Sequence, residues 1–164
     1  MPSFLEKCAN TFLMVACVVV VGEFAYRHVK SSPIPRLFNP GQRVEAKPAL
    51  NLPGTSRTLI VATSSTCQFC LASMPVYRNV VDAARRAGAQ VVAVCGEAPE
   101  VNRAYLSSNG ISADRALSQP DSRVLVSQVP SLILVRRDGT VVDSWSGQAD
   151  SAIEKAALQS LAKN

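Results

Sequence analysis

A chain of 164 residues, 48% hydrophobic and 18% charged, has the length and apolar content of one packed domain, which excludes a disordered protein. Its five cysteines are an odd number at irregular spacing, which excludes a small disulfide-framework protein. The net charge of +5 is concentrated in residues 31–60, where Arg36, Arg43, Lys47 and Arg57 face only Glu45; residues 61–164 hold ten basic and nine acidic side chains, and without a basic stripe interleaved with aromatics they argue against a nucleic-acid partner.

Residues 8–26 read as one apolar helix, with Phe12 to Gly22 uninterrupted and Asn10, Thr11 and Glu23 near its ends. The expectation is that residues 1–30 form a signal anchor or transmembrane helix. A full crossing takes roughly 20 mainly apolar residues, and a run of about 10 to 14 also suits a signal-peptide core. Val20 and Gly22 fit a cleavage site only loosely, so an uncleaved anchor is the favoured reading. The basic residues Arg27, Lys30 and Arg36 outweigh Lys7 and the terminal amine, and the positive-inside rule taken alone would leave the C-terminal domain in the cytoplasm.

Residues 31–57 contain Pro33, Pro35, Pro40, Pro48 and Pro53 with Gly41 and Gly54, the composition of a Pro-rich basic linker. Residues 58–164 then alternate strand and helix patterns. Thr58 to Ala62 reads as a buried strand, Cys70 to Ala87 as a helix with Pro75 in its early turns, and Gln90 to Cys95 as a second buried strand. Glu100 to Asn109 reads as a helix closed by Gly110. Ser131 to Arg136 and Val141 to Trp145 read as a hairpin across Asp138-Gly139, and Ser151 to Ala162 as an amphipathic helix. This order predicts an α/β fold, a mixed sheet with helices on both faces.

The chemistry concentrates in Cys67-Gln68-Phe69-Cys70, at the junction between the first strand and its helix. Two thiols at that spacing on a first helical turn can close into a disulfide and reopen. Helix-start amides and the positive end of the macrodipole stabilise a thiolate at the first cysteine, which makes it the attacking sulfur in thiol-disulfide exchange. Gln68 and Phe69 bring no charge of their own, and Phe69 also suits apolar contact with a partner. A metal site would want further ligands, and the chain's one histidine, His28, lies beside the apolar segment. Cys95 ends an apolar run and reads as a small buried hydrophobe. Trp145 reads as packing on a sheet face.

Over roughly residues 50–164 the order of motifs resembles the thioredoxin superfamily. Cys67 to Cys70 follows the first buried strand, Pro75 falls five residues after the second cysteine, and Val129-Pro130 precedes a strand as that family's cis-proline does. The apolar N-terminal segment, the helix around Glu100 to Asn109 and the stretch Ser118-Gln119-Pro120-Asp121 look most like the membrane-anchored TlpA/ResA-like branch. The resemblance implies a thioredoxin-like mixed sheet flanked by helices, preceded by an N-terminal signal-anchor helix. It also implies a single-pass protein of a bacterial inner membrane with its domain on the extracytoplasmic, periplasmic side, and this habitual topology overrides the charge count. The implied activity is thiol-disulfide exchange with protein substrates, more as a reductase, served by an upstream redox partner and acting as a monomer. The redox-active disulfide Cys67-Cys70 would be the only redox group, with no added cofactor or metal. Cys67 would be the nucleophile and Cys70 the resolving thiol. Val129, beside a cis Pro130, would offer its backbone to an extended substrate segment, with Gln68 and Phe69 lining the same contact.

Departures from the family pattern are specific. Thr66 stands where a tryptophan is common, Val61 where thioredoxin has a buried acid, and Ser73 where many members of the branch carry a glutamate. Proton removal from Cys70 would then need water or a group that the sequence does not reveal. A reading from a different class is a thioredoxin-like binding module that presents the Val129-Pro130 edge without turnover. A peroxiredoxin pattern fails because Ile60 stands where that family has its proline, and a copper carrier would need a histidine in the domain.

Overall fold

The structure is a computed structural model that describes residues 13–23, 35–44, 57–122, 124 and 126–163. The chain divides into two compact units, Met1–Pro33 and Ile34–Asn164. In the first, residues 13–23 form helix α1, whose Leu13, Met14, Val15 and Val18 to Val21 are exposed. Among the described residues no helix is long and apolar enough to cross a membrane, and the flanks of the helix expected over 8–26 lie outside them.

Among its described residues the second unit has five strands and four helices: β1 (Arg57–Ala62), α2 (Gln68–Arg86), β2 (Gln90–Cys95), α3 (Pro99–Ser108), β3 (Arg115–Ser118), α4 (Gln119–Ser122), β4 (Ser131–Arg136), β5 (Val141–Ser146) and α5 (Ser151–Ala162). The sheet order is β3-β2-β1-β4-β5. β1 pairs in parallel with β2 and antiparallel with β4, so it is the centre of a mixed sheet. Its Leu59, Ile60, Val61 and Ala62 are all fully buried, as expected for a strand covered on both faces.

The period-two alternation sorts those side chains between two cores. Leu59 and Val61 face a cluster with Cys70, Met74 and Tyr77 of α2, Leu106 of α3 and Ile153, Ala157 and Leu161 of α5. Ile60 and Ala62 face the other, with Val92, Val94, Ile133, Val135, Val44, Val124 and Val126. α2 buries Cys70, Ser73, Met74, Tyr77, Val80, Val81 and Ala84, the spacing of one helical face.

Helices on both faces were expected, and here the structure differs. The chain steps from β1 to β2 to β3 in one direction across the sheet, and right-handed crossovers in one direction put α2 and α3 on the same side. Beyond the strands, the second cluster is covered by residues of the 35–44 segment and by Val124 and Val126, which follow the four-residue α4.

Residues 35–44, which composition placed in the linker, are bound along β5 and its hairpin. The Gly41 amide donates to the Val141 carbonyl at 2.9 Å, the Val141 amide to Gln42 at 2.8 Å and the Val44 amide to Gly139 at 2.9 Å. Ser144 clasps the segment through its hydroxyl, which accepts from the Phe38 amide at 2.9 Å and donates to the Phe38 carbonyl at 2.7 Å. Capping an edge strand in this way removes unpaired backbone groups from solvent. Gly139 is required by the fit: its φ is +85°, and a Cβ there would lie 2.8 Å from the Val44 carbonyl oxygen.

Candidate active site: a dithiol at the end of the central strands

Topology gathers three loops at one end of the sheet. β1 and β2 are parallel and both end there, and the antiparallel register of β1 on β4 pairs Ala62 with Ser131. The residues leaving β1, those leaving β2 and those entering β4 are therefore neighbours. These are the loop 63–67, the turn at Gly96 and Glu97, and Val129-Pro130.

Cys67 is the N-cap of α2, with φ −92° and ψ 110°, and its sulfur accepts from the Cys70 amide at 3.2 Å. An N-cap side chain takes up one of the helix-start amides that have no intrahelical partner, and here a sulfur does so. The Cys67 sulfur also lies 4.0 Å from the Val129 carbonyl oxygen. Val129-Pro130 is a cis peptide, with Pro130 buried and Val129 partly exposed. Gln68 and Phe69 project outward, Phe69 at 51% exposure, so an apolar ring stands in solvent next to the sulfur pair.

Cys70 lies one turn deeper and is fully buried. Burial first, then the Cys67 side chain as hydrogen-bond partner and charge, and the Glu97 charge push its thiol up to about 12; a hydrogen bond from the Ser64 backbone acts the other way. Cys67 is half-buried. The two thiols thus differ as attacking and resolving groups should: one reachable from solvent, the other held neutral behind it.

The positions at which the resembled family carries carboxylates are apolar or structural here. Val61 is packed in the core. The Ser73 hydroxyl donates to the Phe69 carbonyl at 2.7 Å and accepts from the Ala149 amide at 2.9 Å, tying α2 to the loop before α5. Trp145 is buried in the first cluster. Cys95 is fully buried with its thiol directed to the Glu97 carbonyl at 3.2 Å, and burial, then the Glu97 charge, raise it.

Sequence reasoning missed Glu97. Its carboxylate accepts from the Ser65 amide and from the Ser65 hydroxyl, both at 2.8 Å, and from Asn102 Nδ2 at 3.4 Å. Partial burial pushes this carboxyl up, but the hydrogen bonds from Ser65 and Asn102 outweigh it and hold it below the ordinary range. Asn102, fully buried on α3, also donates to the Thr63 carbonyl at 3.2 Å and to the Thr63 hydroxyl oxygen at 3.0 Å. The available signal was positional: Glu97 stands two residues past the end of β2, and sites in open α/β sheets gather beyond the carboxyl ends of parallel strands. Tyr105, one turn along α3 from Asn102, has a buried hydroxyl with no hydrogen-bond partner among the described residues. Among those residues no three His, Cys, Asp or Glu side chains cluster as metal ligands.

No family model and no curated protein matches the sequence. Solved structures do match. A protein assigned as the thiol:disulfide interchange protein DsbE of Chlorobium tepidum superposes with a TM-score of 0.54 at 21% identity, covering 76% of this chain and 99% of that one. A thio-disulfide isomerase of Thermus thermophilus gives 0.53 at 20%, covering 77% and 99%. StoA of Bacillus subtilis gives 0.51 at 13%, covering 78% and 98%. At these identities the likeness shows the fold, which is that of thioredoxin.

Proposed function

We propose that this chain is a thiol-disulfide oxidoreductase of the membrane-anchored TlpA/ResA-like kind, exchanging disulfides with protein partners and working more as a reductase. The observation that carries the reading is the asymmetry of the dithiol: a half-buried Cys67 whose sulfur caps α2 and faces the cis Val129-Pro130 loop, with a fully buried Cys70 behind it. The fold shared with disulfide-interchange proteins supports it.

In the reducing direction the Cys67 thiolate attacks one sulfur of a partner disulfide. A Cys67-partner bond forms, and the other partner sulfur leaves as a thiolate and takes up a proton. Cys70 then loses its proton and attacks the Cys67 sulfur, closing Cys67-Cys70 and releasing the second partner thiol. Two electrons and two protons pass to the partner, and an upstream dithiol reverses the change on this chain. No further cofactor or metal is called for. Val129 would receive the partner backbone beside the sulfur, with Gln68 and Phe69 forming the rest of the contact. The proposed setting is a monomer on the extracytoplasmic face of a bacterial inner membrane, tethered by the apolar N-terminal segment; the uninterrupted run from Phe12 to Gly22 supports the tether.

The test is substrate trapping. With Cys70→Ser, the first exchange proceeds and the second cannot, so partners are expected to accumulate on Cys67 as reductant-sensitive adducts, absent from Cys67→Ser. A lack of adducts in cells expressing Cys70→Ser would contradict the reading.

A further inference from the structure

The loop that presents Cys67 is held by a group outside both the sheet and the dithiol helix. Among the described residues, the sheet's own hold on it is slight: the Thr63 amide reaches the Val94 carbonyl at 3.3 Å. Beyond Thr63 the loop is gripped from the far side by Glu97, which closes on both the amide and the hydroxyl of Ser65 at 2.8 Å each. Asn102 completes the clasp, with its amide nitrogen on Thr63 and within 3.4 Å of the same carboxylate. Thr63 and Asn102 are both fully buried, so one end of the clasp is anchored in the interior. A carboxylate that takes a backbone amide and a hydroxyl from one residue fixes that residue in position and rotation, and charge-assisted bonds of this kind are roughly twice as strong as neutral ones.

We propose that Glu97 is a positioning residue for disulfide exchange, holding Ser65 so that Cys67 is presented at the start of α2 facing Val129. The inference rests on the exchange reading above and assigns a role in it to a residue outside the CxxC motif. Glu97 touches neither sulfur through a hydrogen bond; it acts through Ser65 and Thr66, which lead into Cys67. It also places a carboxylate on the dithiol's side of the sheet, and its charge is among the causes that raise Cys70.

The experiment measures the rate at which Cys67 reacts with the aromatic disulfide dithionitrobenzoate, in the full-length chain carrying Cys8→Ser, Cys17→Ser and Cys70→Ser, so that Cys67 and the buried Cys95 are the thiols that remain. The sulfur attacks the reagent, a mixed disulfide forms and thionitrobenzoate leaves, so one turnover is read. Glu97→Ala is expected to slow the reaction about tenfold, a modest share of what misplacing a reacting group can cost. Glu97→Gln keeps an oxygen for the Ser65 amide and is expected to return the rate to within about threefold of the parent, a recovery that general destabilisation does not produce. Ser65→Ala loses only the hydroxyl bond and should slow the reaction about threefold. Added to Glu97→Ala it should cost nothing more. Should Glu97→Ala fail to fold, Ser65→Ala and Glu97→Gln carry the comparison.

A folded Glu97→Ala that reacts at the parent rate, or a Glu97→Gln no faster than Glu97→Ala, would overturn the positioning role while leaving exchange intact. A parent chain whose Cys67 does not react would overturn the exchange reading and this inference with it.

Discussion

The two sulfurs of this site are chemically unequal because the helix start and the core treat them differently. Cys67 caps α2 and receives an amide; Cys70 has been carried into the first core cluster and its thiol is pushed up to about 12. A group that releases its proton near the ordinary value of 9 when unfolded, but only near 12 when folded, favours the folded state below 9 and loses that contribution as pH rises from 9 toward 12. The reduced chain is therefore expected to lose stability above pH 9 more steeply than Cys70→Ser does, as read from denaturation midpoints across an alkaline series. Identical alkaline limbs would show that burial does not hold the thiol neutral. The sequence made both cysteines legible, because their spacing and the strand before them are local. Glu97 was not, because its partner Ser65 is 32 positions away and only the pairing of β1 with β2 brings the two together.

Elements with strong local signals agree with their expected bounds to within two residues. β2, β4 and α5 match, and α2 begins at Gln68 where the pattern suggested Cys70. β3 escaped notice because Arg115–Ser118 is a four-residue edge strand with one buried side chain, too short to show a period. The 35–44 segment escaped for a different reason. Its prolines and glycine read as spacer, yet its backbone groups are satisfied by β5 and its hairpin, a long-range contact that composition does not encode. That docking gives an element-scale expectation. Gly139→Ala puts a Cβ into the left-handed region and within 2.8 Å of the Val44 carbonyl oxygen, so it should destabilise by about 2–3 kcal/mol. Gly147→Ala shares the positive φ, at +90°, with nothing within 4 Å of the added carbon, and should cost less. Chemical denaturation of both variants checks the difference, and equal losses would mean that the segment does not press on the hairpin.

At the scale of the whole molecule, the fold acts by convergence. A parallel pair and an antiparallel pair share β1, and because of that the ends of β1 and β2 and the start of β4 meet at one edge. The dithiol, the cis-proline loop and the Glu97 clasp come from stretches of chain separated by about 30 residues each, and no single motif holds the site. The architecture was legible because alternating buried strands and amphipathic helices constrain topology. The side on which the helices lie was not, since it depends on the order in which the strands are laid down.

Cys67 and Cys70, proposed as a reversible redox couple, can be followed by equilibrium titration of the full-length chain. The chain is poised across a series of thiol-disulfide buffers, quenched in acid, and its free thiols are counted by alkylation and mass. One cooperative transition is expected, in which two thiols appear together, lost in Cys67→Ser and in Cys70→Ser, with Cys95 unchanged throughout. A chain whose two thiols stay alkylatable at every poise, or titrate independently of each other, would contradict the proposed couple.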